Sequence, residues 1–222
     1  MDQLEKSLAY SVSILSDEDL QNEFKAFRAA FQRLKVRFRN NLFVAELKQL
    51  VTLTKKLTTE FPPMLFQSYH DQIRTLTKRQ PKKRAIYALH KLVSEMILFL
   101  DDAIDKTLHK YAYTQSRFKI GHHSHHLILI RTCIARLRVC FKALLVHATD
   151  LLLEVIPHSG VEFMKNKKVG FLSSGEARDI LCRHDCKPRS NSGLTQVEDR
   201  DVEVIGDTIN RNSLRRAKNA KS

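Results

Sequence analysis

The sequence is poor in glycine and proline and contains no tryptophan. All six glycines lie at or beyond Gly121, and the five prolines stand between segments of periodic hydrophobicity. Glycine and proline interrupt helices and mark turns, so a chain that lacks both over long stretches does not have the pattern of a turn-rich β protein. The glycine-free segment up to residue 120 therefore predicts an all-α fold.

The sequence also lacks an apolar run that could cross a membrane. Its most apolar stretch, Leu127–Ile156, is interrupted by four basic residues, Arg131, Arg136, Arg138 and Lys142. The N-terminal segment MDQLEKSLAYSVSIL has no positive region followed by an apolar one, so no signal peptide is predicted. Four cysteines without a secretory signal suggest reduced thiols. We expect a soluble intracellular protein with no membrane span.

Sequence motifs of common catalytic sites are missing as well. There is no G-x-S-x-G motif, no glycine-rich phosphate loop and no H-E-x-x-H motif. Three carboxylates, Asp101, Asp102 and Asp105, could form a metal site, but a solvated helix face is the more common role of such a group. We predict no enzyme, no catalytic residue and no cofactor.

Four histidines fall within five positions of the segment RFKIGHHSHHLILI, and they suggest a metal site, a pH switch or the start of a helix. A structural zinc site needs about four ligands, and the segment CRHDC at 182–186 lacks the usual Cys-x2-Cys spacing. Gly121 can end one helix and Ser124 can cap the next. We interpret the histidines as a solvated helix start beside basic residues, with no metal.

Apolar residues recur at steps of three and four along most of the chain. The two longest patterns, Ile86–Leu108 and Leu127–Val155, predict helices that pack against each other. An earlier helix with a phenylalanine stripe is expected to begin at Ser16 as its N-cap. These patterns predict an antiparallel bundle of long helices as one domain over residues 1–172. The polar remainder, residues 173–222, is predicted to be a disordered, flexible tail.

The chain carries 38 basic and 24 acidic residues, a net charge of +14. Residues 61–172 contribute +10 of this excess, which points to a polyanionic partner such as RNA or an anionic membrane surface. The segments KRQPKKR and RRAKNAK also resemble nuclear-localisation signals. Basic residues on three separate elements are predicted to contact phosphates: Arg33, Lys35, Arg37, Arg39, Lys82, Lys83, Arg84, Arg131 and Arg138.

Two rival interpretations remain open. A helical adaptor or tethering subunit would bind protein partners through the aromatic helix face formed by Phe24, Phe27, Phe31 and Phe38. An interfacial membrane binder would depend on anionic lipid.

The order of these features resembles the nucleolus and neural progenitor protein family, which is related to a fungal RNase MRP subunit. The similarity lies in RLKVRFRNNLFVAELKQLVTLTKKL at Arg33–Leu57, in ARLRVCFKALLVHATDLLLEV at Ala135–Val155, and in the apolar helix KKRAIYALHKLVSEMILFLDDAIDKTLHKY between them. The family's early segment is rich in histidine beside Asn and Arg, whereas Arg37, Arg39, Asn40 and Asn41 stand here without histidine.

The resemblance implies an all-helical, non-catalytic subunit of a nucleolar ribonucleoprotein that takes part in pre-ribosomal RNA processing. Its partners would be a structured non-coding or pre-ribosomal RNA and the other protein subunits, with the chemistry performed by RNA. It also implies that Asn40 and Asn41 contact RNA together with the arginines around them.

Overall fold

A computed structural model describes residues 2–38, 42–76, 83–118, 124–159 and 171–186. Within these ranges the secondary structure is entirely helical, which confirms the predicted all-α fold. The seven helices are α1 (Asp2–Leu15), α2 (Glu18–Arg37), α3 (Leu42–Glu60), α4 (Pro63–Leu76), α5 (Lys83–Phe118), α6 (Ser124–Ser159) and α7 (Ser174–Arg183).

Helices α5 and α6 form the long hairpin at the centre of the fold. Each has 36 residues, which corresponds to a length of about 54 Å. They pack against each other extensively through the two apolar stripes that the periodicity predicted, with Val93, Ile97, Ile134 and Phe141 fully buried. Leu108 departs from this pattern because its side chain is 44% exposed.

Helices α1 and α2 follow each other in one line, which we call the first broken rod, and they run along α6 in the opposite direction. From α1 to α2 along this rod, Tyr10 contacts His147 at 5.1 Å between ring centroids, and Phe24 contacts Phe141 at 6.1 Å. The two helices have 14 and 20 residues, so together they nearly match the length of α6.

The break between α1 and α2 corrects one predicted helix boundary. The N-cap of α2 is Asp17 and not Ser16, because the Asp17 carboxylate accepts a hydrogen bond from the backbone N–H of Asp19 at 3.0 Å. A carboxylate suits this position because it interacts favourably with the positive end of the helix dipole.

Helices α3 and α4 form the second broken rod, which returns beside the first. Phe61, between these helices, packs against Phe99 of α5 at 5.7 Å between ring centroids, and Lys110 of α5 donates to the Glu46 carboxylate of α3. Between the two broken rods, the Glu5 carboxylate oxygen of α1 lies 3.9 Å from both His70 Nε2 and Arg74 Nε of α4. The four rods alternate in direction, so the fold is an antiparallel bundle, as predicted.

Helix α7 shows that the predicted domain boundary at residue 172 is wrong. Ser173 and Glu176 form a capping box, in which the Ser173 hydroxyl accepts from the Glu176 backbone N–H and the Glu176 carboxylate accepts from the Ser173 backbone N–H. Ala177, Ile180 and Leu181 are buried. The folded unit therefore includes the segment through Cys186, and residues 187–222 of the predicted tail lie outside the described residues.

Helix α7 is held against α5 by an ionic cluster at its C-terminal end. The Asp101 carboxylate accepts from Arg183 Nη1 at 2.8 Å and lies 2.6 Å from His184 Nε2. The side chain of His184 is 4% exposed and that of Asp101 is 17% exposed. The prediction that Asp101 belongs to a solvated face is therefore wrong, because α7 covers it.

The approach to α7 is tied to α5 by its backbone. The N–H of Leu172 donates to Ser94 Oγ at 3.2 Å, and its carbonyl lies 3.1 Å from His90 Nε2. Burial lowers the pKa of His90, although the hydrogen bond to the Leu172 carbonyl acts in the opposite direction. His90 is thus a neutral core residue.

The cysteines on α6 are packing residues. Cys133 and Cys140 are partly buried against the hydrophobic core. Burial raises the pKa of Cys133, and it raises that of Cys140 to about 11, so both thiols are protonated at neutral pH. In the helices described here, no stretch is both long enough and apolar enough to span a membrane.

Candidate nucleic-acid interface

The residues predicted to contact RNA do not form one surface. Arg84 lies in the first turn of α5, whereas Arg37 ends α2 at the opposite end of the bundle, about 50 Å away along helices of this length. The side chain of Lys83, the first residue of α5, is not described. Four predicted residues lie outside the described ranges: Arg39, Asn40, Asn41 and Lys82.

The predicted arginines of α6 face inward more than expected. Arg131 Nη2 donates to the Tyr111 hydroxyl at 2.8 Å, and the guanidinium lies 4.8 Å from the centre of the same ring. Arg138 is half-buried, and its Nε is enclosed without a hydrogen-bond partner in the described part of the chain. Arg131 therefore joins α5 to α6, which leaves less of it available to a ligand.

A groove between α2 and α3 brings one predicted residue together with two that were not predicted. Lys35 lies on its α2 wall, and Lys48 and Lys55 lie on its α3 wall. The groove is open to solvent and has a volume of about 570 Å³. We call it the α2–α3 groove, and it is lined by Phe31, Gln32, Lys35, Leu42, Val44, Ala45, Lys48, Val51, Thr52 and Lys55.

Helical spacing explains how the groove forms. Lys48, Thr52 and Lys55 follow one another at steps of four and three, so they share one side of α3. Gln32 and Lys35 share one side of α2 in the same way. The apolar lining residues between these two rows belong to the buried face of the hairpin, and they give the groove an apolar floor: Phe31, Val44 and Val51.

The central part of this hairpin, on either side of its turn, is strongly positive. Residues 24–57 contain nine basic residues and one acidic residue, Glu46, and that carboxylate is paired with Lys110 of α5. Within the described residues, the side chains of Lys35, Lys48 and Lys55 form no ion pair. The groove therefore presents three uncompensated positive charges.

Lys48 and Lys55 were not predicted from the sequence because residues 1–60 as a whole carry a net charge of only +2. Residues 1–23 contain six acidic residues and one basic residue, which cancel most of the excess that follows them. A charge count over residues 24–57 alone, together with the regular spacing of Lys48, Thr52 and Lys55, would have indicated these two lysines.

The histidine cluster meets the end of α2. His125 and His126 lie in the first turn of α6, which fits the predicted helix start, whereas His122 and His123 lie outside the described residues. Arg37 Nη1 is 3.2 Å from His126 Nε2. Because a guanidinium can only donate, this imidazole nitrogen is the acceptor in the contact. A histidine thus lies beside Arg37 in space, although none is near it in the sequence.

The described residues contain no cluster of side chains that could bind a metal ion. Across the described ranges, no three or more His, Cys, Asp or Glu side chains are placed to hold a metal ion. His184, in the segment considered earlier for a metal site, is instead paired with Asp101.

The aromatic face proposed for a protein partner is not available. Phe24, Phe27 and Phe31 are 0%, 0% and 4% exposed, and Phe38 packs against the core. These rings bind α2 to the rest of the bundle. The adaptor interpretation through this face is therefore wrong.

The fold and its surface define a helical bundle with a cationic groove in its α2–α3 hairpin. No protein-family model, curated protein or solved structure matches the chain.

Proposed function

We propose that the protein is a non-catalytic RNA-binding subunit of a ribonucleoprotein and that the α2–α3 groove is its main RNA contact. The observation that carries the proposal is the set of three lysines without ion-pair partners among the described residues, Lys35, Lys48 and Lys55, within residues 24–57, which contain nine basic residues and one acidic residue. We also propose a nucleolar location and a role in pre-ribosomal RNA processing, on the basis of the family resemblance, which covers the part of this hairpin from Arg33 to Leu57.

Unpaired lysines suit phosphate binding for an energetic reason. A lysine that already has a carboxylate partner must lose that partner before it can bind a phosphate. Lys35, Lys48 and Lys55 have none within the described residues, so each can neutralise a phosphate directly and release its condensed counterions. RNA is favoured over an anionic membrane because the lysines line a concave groove, whereas a helix that binds a membrane surface presents an exposed apolar face.

The test is a titration of a fluorescent structured RNA with the full chain at several salt concentrations. We expect affinity to fall steeply with salt, and Lys35→Gln, Lys48→Gln and Lys55→Gln together to reduce the slope of log affinity against log salt by roughly 2 to 3, which is 0.7–0.9 for each phosphate contact. The matched control removes three lysines from other surfaces: Lys6→Gln, Lys91→Gln and Lys106→Gln.

Both triple variants have the same net charge, so a difference between them cannot arise from overall electrostatics. Equal losses in the two variants would contradict the assignment of the groove. A protein shown by circular dichroism to be folded that binds no RNA at low salt would contradict the function itself.

A further inference from the structure

The α2–α3 groove has more than the charge that phosphate binding requires. Its floor is apolar, formed by Phe31, Val44 and Val51. Its volume of about 570 Å³ falls within the roughly 300–1,000 Å³ typical of pockets for small organic ligands. A site that only neutralised phosphates would need neither a groove of this volume nor an apolar surface.

Two uncharged polar side chains lie among the lining residues, one on each wall. Gln32 on α2 offers an amide with both donors and an acceptor. Thr52 on α3 donates its hydroxyl proton to the Lys48 carbonyl at 3.1 Å, which leaves the lone pairs of Oγ1 as acceptors. Together the walls provide hydrogen-bonding groups above an apolar floor, with ammonium groups beside them.

We infer that the groove receives an unpaired base of a structured RNA, with the flanking phosphates held by Lys35, Lys48 and Lys55. The inference rests on the proposed function and specifies the part of the RNA that is bound. A paired base in an A-form helix is inaccessible to such a groove, whereas a bulged or looped base can leave the stack and present its ring and edges. The base ring meets the apolar floor, and its edges face Gln32 and Thr52.

The charge distribution favours RNA over an acidic peptide as the occupant. The basic residues of the hairpin continue beyond the groove, with Arg33 exposed on α2 and Arg37 at its end beside His126. A backbone that carries a charge at every residue exploits such a long basic surface, whereas a short acidic helix would occupy the groove alone.

The experiment compares two fluorescent RNA hairpins that differ only in one bulged adenosine. Wild-type protein is expected to bind the bulged hairpin several-fold more tightly than the fully paired one. Ala45→Phe, at an exposed position that lines the groove, should fill the groove and remove this preference, so that the variant binds the two hairpins with equal affinity. The matched control is Ala29→Phe, which adds the same ring at an exposed position of α2 away from the groove lining.

The outcomes separate this inference from the proposed function. If folded protein binds neither hairpin at low salt, the proposed function fails. If it binds both equally and Ala45→Phe changes nothing, RNA binding stands and the base-binding groove is wrong. A labelled poly-glutamate peptide provides the third arm, because peptide binding that Ala45→Phe abolishes, with RNA binding unaffected, would assign the groove to an acidic protein partner.

Discussion

Two helical hairpins of this protein carry many basic residues, but these residues are paired within the fold in one hairpin more than in the other. In the α5–α6 hairpin most described cations have partners within the fold: Lys91 with Glu95, Lys106 with Asp102, Lys110 with Glu46, Arg131 with Tyr111 and Arg136 with Glu23. In the α2–α3 hairpin Lys35, Lys48 and Lys55 have no ion-pair partner among the described residues and line one groove. Net charge along the sequence therefore does not measure the charge available to a ligand.

This difference assigns separate roles to the two hairpins. The α5–α6 hairpin is the structural centre, because α7 and both broken rods pack against it. The α2–α3 hairpin is the proposed binding surface.

The largest effect is expected from a charge placed in the core of α5. Leu100 is fully buried, so Leu100→Asp should unfold the bundle, since an unpaired buried carboxylate costs several kcal/mol against a total stability of roughly 5–15 kcal/mol. Leu98→Asp is the matched control on the same helix, where the side chain is 44% exposed. Far-UV circular dichroism and urea titration measure both. A folded Leu100→Asp protein would refute the central role of this hairpin.

A smaller effect is expected where α7 meets α5. Asp101→Ala leaves Arg183 and the buried His184 without their carboxylate and should cost about 1–3 kcal/mol. Asp102→Ala makes the same chemical change at a 53% exposed side chain and should cost less than about 1 kcal/mol. Urea denaturation gives both values, and hydrogen exchange should show faster exchange in α7 for Asp101→Ala alone. Equal destabilisation in the two variants would mean that the cluster does not hold α7.

A third effect depends on pH and arises from His90. Burial lowers the pKa of His90 in the folded chain, so the unfolded chain binds a proton first as pH falls below the ordinary histidine pKa of about 6.5. Stability should therefore decrease with falling pH in that range, with a slope of at most about 1.4 kcal/mol per pH unit from this residue. His90→Gln retains a donor for the Leu172 carbonyl but does not titrate, and should reduce the slope.

The control for the pH experiment is His109→Gln, because His109 lies exposed on the same helix. Its stability should depend on pH as that of the wild-type protein does, measured by urea titration from pH 7.5 to 5. If His90→Gln and wild type have the same pH dependence, His90 does not contribute to acid sensitivity.

The smallest effect distinguishes single arginines of the two hairpins in RNA binding. Arg33 is exposed on α2, whereas Arg136 on α6 is paired with Glu23. Arg33→Gln should reduce the salt slope of RNA affinity by about 0.7–0.9, the value of one phosphate contact, and Arg136→Gln should leave it unchanged. A salt titration of the kind described above measures both. If Arg136→Gln reduced the salt slope more than Arg33→Gln, the α5–α6 hairpin and not the α2–α3 hairpin would make the phosphate contact.

Much of the fold could be predicted because helices follow local rules. The apolar stripes of α5 and α6 are long and regular, so the packing of these two helices against each other could be predicted. Helix α7 was missed because it is short and lies in a polar segment, although the Ser173 and Glu176 capping box was visible in the sequence. A truncation at residue 172 would have removed a packed helix.

The candidate site was predictable only in part because it depends on tertiary register. Lys35 was predicted from the basic stripe of α2, but its proximity to Lys48 and Lys55 requires the antiparallel return of α3. Whether an arginine is paired also depends on register, since Arg136 meets Glu23 from a position 113 residues away in the chain. A pattern of neighbouring residues in the sequence cannot predict such a pairing.

The position of the α2 aromatic rings has a consequence for synthesis on the ribosome. Phe24 packs against Phe141, and residues that bury this face of α2 lie on α6, more than a hundred residues downstream. At about 5–20 residues per second, the nascent chain carries Phe24 without Phe141 for roughly 6–24 s. We expect that during this interval the first part of the chain depends on chaperones that bind exposed aromatic segments.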